Sequence, residues 1–248
     1  MKKTLTLLFV AALLMSGCGS SKKQLESGNY DAAIGVAVKE LRKNPNSEKD
    51  ILSLERAMPI VMEQDNERIR FLKMEGKPGS WDEIYLIYKK MNDRQSLVRT
   101  VTPLTYKGRT IEYPYVDYMQ EMIVAKNKAA DYYYAHGQEL MKNGTKDSYR
   151  LAYAEFARAK DYVGNYEGID QMMQESRYLG ISRVYVDLKN FSATKFPEDF
   201  EKELLALDLP RLNSEWVEYH TAVLNDQTQY DYMVNVNLRS VAVSPDKQ

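Results

Sequence analysis

Few residues in this chain could carry covalent chemistry. Its 248 residues include one cysteine, Cys18, and two histidines, His136 and His220. A nucleophilic triad needs Ser or Cys beside a positioned base. His136 lies in Tyr132-Tyr133-Tyr134-Ala135-His136-Gly137, within a helical pattern, and His220 follows Tyr219 in an alternating one. Neither belongs to a nucleophile elbow or an H-E-x-x-H motif. A single thiol excludes an internal disulfide framework and a thiolate zinc cage. The 35 acidic residues supply many carboxylate pairs for sugar hydrolysis, but their spacing selects none. Gly76-Lys77-Pro78-Gly79 is too short for a phosphate loop and lacks its Lys-Ser/Thr end. The 34 Lys and Arg nearly balance the acids, which argues against nucleic-acid binding through bulk charge. The expectation is a protein that is not an enzyme, with no catalytic residues, no metal and no cofactor.

Cys18 stands in a more informative setting. Lys2 and Lys3 precede an apolar run from Leu5 to Met15, and the small Ser16 and Gly17 follow. Charge, short apolar segment and small residues are the order of a secretory signal peptide. The run is shorter than the roughly 20 residues that span a bilayer. Leu14-Met15-Ser16-Gly17-Cys18 resembles a bacterial lipobox, with Met15 where a smaller aliphatic residue is usual. That resemblance implies cleavage before Cys18, a diacylglycerol on its thiol, and a fatty acid such as palmitate on the new amino group. Several chains matter because each buried CH₂ contributes only about 0.8 kcal/mol and one chain anchors marginally. The other reading is a plain signal peptide with an incidental cysteine. Gly19 is not Asp, and no acidic run follows. By the same resemblance this implies the outer membrane, on its periplasmic face. Gly19 to Lys23 reads as a flexible polar tether.

The elements that follow are mostly helical. From Tyr30 to about Gly180 apolar residues recur at helical spacing. Ile34, Ala37, Val38 and Leu41 share one face, and Ile51, Leu54, Met58, Val61, Met62, Ile69 and Leu72 another. Pro59 is expected to kink or split the second run. Ser80 and Glu83 read as a capping box for a helix with Trp81, Ile84, Tyr85, Tyr88, Met91 and Val98 inward. Thr102 to Tyr115 reads as a long connection with a short extended pair. Met119, Met122, Ile123, Ala129, Ala130, Tyr133, Gly137 and Leu140 are expected on one face of the next helix.

Gly28-Asn29-Tyr30 with Ala33 and Pro45, and Gly137, Leu140, Gly144, Ala152, Phe156 and Ala159, resemble pieces of tetratricopeptide repeats. An insertion between Asn143 and Ser148 breaks the repeat register, so an antiparallel array is expected rather than a regular superhelix. After Gly180 the period becomes two. Val184, Val186 and Leu188 form one strand, Val217, Tyr219 and Thr221 a second, and Tyr232, Val234, Val236 and Leu238 a third. Pro197 opens a helix between the first two. A bulge is expected at Ser240.

The predicted fold is α+β, mainly α: an antiparallel helical array, partly tetratricopeptide-like, then a small strand-helix-strand-strand module. The expected division is a signal peptide over 1–17, lipidated cysteine and tether over 18–27, a helical domain over 28–180 and the α/β module over 181–248. The expected function is a membrane-anchored periplasmic scaffold that binds another envelope protein. Tyr132, Tyr134, His136 and Gly144 are its candidate contacts, because exposed tyrosine gives large contact area at low entropy cost. The 19 tyrosines equally suit filling gaps between helices. The alternative is an envelope lipoprotein that captures a glycan or peptide.

Overall fold

Apolar spacing sets which stretches coil, and packing decides where they begin and end. The computed structural model describes residues 20–192, 209–221 and 229–240. The leader, Cys18, the helix expected after Pro197 and the phase slip beyond Ser240 lie outside the described residues. The fold is α+β and mainly α. The helices are α1 Ser21–Glu26, α2 Tyr30–Leu41, α3 Glu48–Glu75, α4 Trp81–Arg99, α5 Met119–Met141, α6 Lys146–Tyr162 and α7 Ile169–Gly180. The strands are β1 Leu104–Tyr106, β2 Arg109–Ile111, β3 Ser182–Asn190, β4 Val217–His220 and β5 Tyr232–Leu238. No described helix is long and apolar enough to cross a membrane. The chain forms two compact units that divide between Ala129 and Ala130.

In the first unit, helix begins earlier than the expected tether allows. Ser20 caps α1 by accepting the Lys23 amide. Ser21 is fully buried, and its hydroxyl donates to the buried carboxylate of Asp50. Ser47 donates to the same carboxylate. Asp50 needs these donors once it is buried, so the polar segment is held rather than free. Ala33, Ile34, Ala37, Val38 and Leu41 of α2 pack with Ile51, Leu54, Ala57, Met58 and Val61 of α3. Each fully buried large aliphatic side chain contributes about 1.5–3 kcal/mol.

α3 runs unbroken through Pro59. Proline removes the donor for the Glu55 carbonyl, but buried Met58 and Val61 on one side, and Ile69 and Leu72 beyond, hold the helix together. The Ser80–Glu83 capping box does not form. A 3-10 turn, Pro78–Ser80, precedes α4, and the Ser80 side chain caps nothing. Glu83 accepts from Arg68 instead, at 2.7 and 3.0 Å. The extended pair within 102–115 is an antiparallel hairpin. Its two-residue turn places Lys107 at φ 49° and Gly108 at φ 76°, which suits the twist of the strands. On α5, Met119 and Ile123 are exposed, contrary to their expected place on the inner face, while Ala125 and Ala129 are buried.

In the second unit, α5 from Ala130 onward pairs with α6 through a close approach. A Cβ on Gly137 would lie 2.6 Å from the Phe156 ring, so only glycine fits there. Ala152, Phe156 and Ala159 are all fully buried. The residues inserted between Asn143 and Ser148 make a turn and a cap. Thr145 accepts the Ser148 amide while the Ser148 hydroxyl accepts the Thr145 amide.

β3 is the central strand, with β4 and β5 parallel to it on either side. The compact division does not fall at 181, where the module boundary was expected, because α6 grips the start of β3. Arg150 donates to the Gly180 carbonyl at 3.0 Å and to Ser182 at 2.9 Å, and Lys146 donates to the Ile181 carbonyl at 2.6 Å. Asp231, next to β5, accepts the Arg183 amide at 2.8 Å and lies 3.2 Å from Lys146.

Candidate functional site

The candidate contact residues all fall in the second unit, and the structure brings two of them together. Tyr132 and His136 are one helical turn apart on α5, so their side chains share a face. Their rings stack at 5.7 Å with planes 13° apart. His136 is exposed, and its Nδ1 lies 3.3 Å from Glu155 Oε2 on α6. Arg158 lies 3.7 Å from the same carboxyl group and covers the Tyr133 ring at 5.4 Å. Tyr133, between these neighbours, is buried and stacks on Tyr162 at 5.9 Å.

The other two candidates have different surroundings. Tyr134 is half-buried and packs on Phe156 at 5.6 Å and Tyr166 at 4.8 Å. It fills the space between helices. The Tyr166 hydroxyl donates to Asp131 at 2.8 Å. Burial, that hydrogen bond and the Asp131 charge push its pKa up to about 12. Gly144 sits in the exposed turn after α5 at φ 69°. Cys18 lies outside the described residues.

The first unit holds a polar cluster that sequence reading missed. The inner face of α4 runs through Ile84, Tyr88, Met91 and Val98, and the same phase brings Arg94 and Gln95 inside at 4% exposure each. Arg94 Nε donates to Asp31 of α2 at 2.8 Å, and Nη1 donates to Asp65 of α3 at 2.7 Å. Lys90 lies 2.6 Å from Asp31. Burial works to raise the Asp31 pKa, but hydrogen bonds and positive charge from Arg94 and Lys90 outweigh it and hold the carboxyl below its ordinary value. The buried Arg94 Nη2 has no hydrogen-bond partner among the described residues. Asp31, Asp65 and Lys90 also line a cleft of about 410 Å³ with Asn29 and Gln64.

Gln95 forms a second clamp. Its Oε1 accepts the Val116 amide at 2.8 Å, and its Nε2 donates to the Val116 carbonyl at 3.2 Å. One side-chain amide thus holds the extended segment before α5 at both backbone groups. Two polar residues in an otherwise apolar helical phase were the available signal for this cluster. Among the described residues no group of three or more His, Cys, Asp or Glu could hold a metal ion.

Comparison with protein-family models, with curated proteins and with solved structures finds no match for this chain.

Proposed function

We propose that this chain is a bacterial envelope lipoprotein, anchored through Cys18 in the outer membrane and facing the periplasm. In this reading it is a non-enzymatic scaffold that holds another envelope protein. The address rests on residues 14–18 of the sequence. The observation that carries the scaffold reading is the Tyr132–His136 stack, displayed on a helix whose inner side is locked by Phe156 against Gly137. Rigid aromatic surface of this kind gives contact area with little ordering cost. A membrane anchor adds affinity by raising the effective concentration of the scaffold near its partner.

A photo-crosslinking residue placed at Tyr132 in living cells tests the contact, with exposed Gln138 as control. A reproducible adduct to one envelope protein from position 132, absent at 138, supports the scaffold. Adducts equal at both positions, or none at 132, overturn it. Metabolic labelling with a fatty-acid analogue, comparing the parent with Cys18→Ser, tests the address.

A second reading, capture of a glycan or peptide, is favoured by the polar cleft lined by Asn29, Gln64 and Lys90. Saturable stabilisation of the protein by envelope glycans or peptides, lost in Lys90→Ala, supports that reading.

A further inference from the structure

If Cys18 carries the lipid, the ordered body begins almost at the membrane. Only Gly19 and Ser20 separate that cysteine from Ser21, which is fully buried in the first unit. Three residue steps span at most about 10 Å even when extended. This is close to the distance, about 8 Å, over which exposed charges act at physiological salt. The start of α1 is therefore confined near the headgroups, and its surroundings must suit them.

Those surroundings are a cleft of about 470 Å³ between α1 and the first turns of α3. Leu25 and Leu52 line it, with Lys22, Lys49 and Arg56 beside them. Lys23 is exposed on the same short helix. The carboxylates at this end are already matched. Glu26 pairs with Lys22 at 3.8 Å, and Glu48 accepts from the Tyr106 hydroxyl and lies 3.8 Å from Lys107. Lys23, Lys49 and Arg56 enter no ion pair among the described residues. Further along α3 the pattern differs. Arg68 is paired with Glu83, and Arg70 with Glu63, each at 2.7 Å. α3 has 28 residues and is about 42 Å long, so only its first turns come within reach of a surface at the anchor.

We propose that the end of the first unit bearing Lys22, Lys23, Lys49 and Arg56 docks on anionic phospholipid headgroups. The face supplements the Cys18 anchor and rests on that reading of the address. The lipid holds the chain to the leaflet, and Lys23, Lys49 and Arg56, with Lys22 beside them, orient the unit upon it. Each cation near an anionic leaflet strengthens the association about five-fold at moderate salt.

The test uses the full chain purified from membranes of cells fed an alkynyl fatty acid. It is reconstituted into phosphatidylcholine vesicles with or without phosphatidylglycerol, then footprinted with a lysine-acylating reagent. The expected result is several-fold slower modification of Lys22, Lys23 and Lys49 on the anionic vesicles, reversed by high salt. Lys89, exposed on α4, is unaffected. Lys49→Gln together with Arg56→Gln lowers the protection of Lys22. Acyl label on Cys18 with equal footprints on both vesicles overturns the docking face and leaves the anchor standing. Protection without acyl label supports the face and overturns the anchor. Protection seen only in intact envelopes, and on neither vesicle, assigns these cations to an acidic protein partner and overturns the lipid assignment.

Discussion

The two compact units solve helix packing in opposite ways. In the first, charged and amide groups are buried between helices: Arg94 reaches Asp31 and Asp65, Gln95 grips Val116, and Asp50 binds Ser21. In the second, the α5–α6 contact is a ring against small residues, with Phe156 on Gly137. A ring in a glycine notch is tolerant of pH and fails when volume changes. A buried charge cluster is tolerant of small volume changes and fails when one partner is removed. The difference teaches where each unit is fragile.

The largest expected effect tests the second unit. Phe156→Ala leaves a cavity at a fully buried site and should cost about 4 kcal/mol. Urea unfolding followed by tryptophan fluorescence measures it. The two tryptophans, Trp81 and Trp216, lie in different units, so Trp81→Phe isolates the signal of the second. A loss under about 1.5 kcal/mol would break the contrast.

Next comes the first unit. Arg94→Met keeps much of the volume but strands Asp65, whose side chain is 14% exposed, while Asp31 keeps its ion pair with Lys90 at 2.6 Å. Removing one partner of a buried pair costs about 3 kcal/mol. The Trp216→Phe form reads this loss in the first unit, and a neutral outcome would show that the cluster contributes nothing net. Gly137→Ala should cost about 2 kcal/mol, because a methyl at 2.6 Å from Phe156 overpacks the notch.

Helix caps sharpen the comparison at smaller scale. Thr145→Ala should lose about 1 kcal/mol, because Thr145 caps α6. Ser80→Ala should change stability by only a few tenths, because Ser80 caps nothing. Equal losses at the two sites would contradict the observed geometry. The smallest effect is the pH response of Asp31, whose side chain is 44% exposed. Its pKa is lowered in the folded state. Its contribution is therefore complete above the unfolded value of about 3.9 and fades as pH falls through the lower folded value. Urea midpoints across this acid range should fall more steeply for the parent than for Asp31→Asn.

Particular residues show how much was legible beforehand. The inner faces of α2, α3 and α4 followed from spacing, while Gly137 and Phe156 were singled out by the repeat resemblance and their contact emerged only in the fold. Strands β3, β4 and β5 followed from alternation. Pro59 was misleading, because propensity is a local term and the packing around α3 outweighs it. Ser80 with Glu83 had the right spacing for a cap, but Arg68 took the carboxylate. The tether reading failed at Ser21, whose burial depends on Asp50, 29 residues away. Spacing placed Tyr133 on the inner face, where it is buried, but it did not separate Tyr132, which stacks on His136 of its own helix, from Tyr134, which packs on Phe156 and Tyr166.

By itself the sequence determined the periodicity of each element, and with it the α+β, mainly α class, since side-chain spacing is written locally. The tertiary structure decided which polar residues are buried, which cap is formed and where the units divide. Those outcomes depend on groups distant in the chain competing for the same donors, acceptors and space, and only folding brings them within reach of each other.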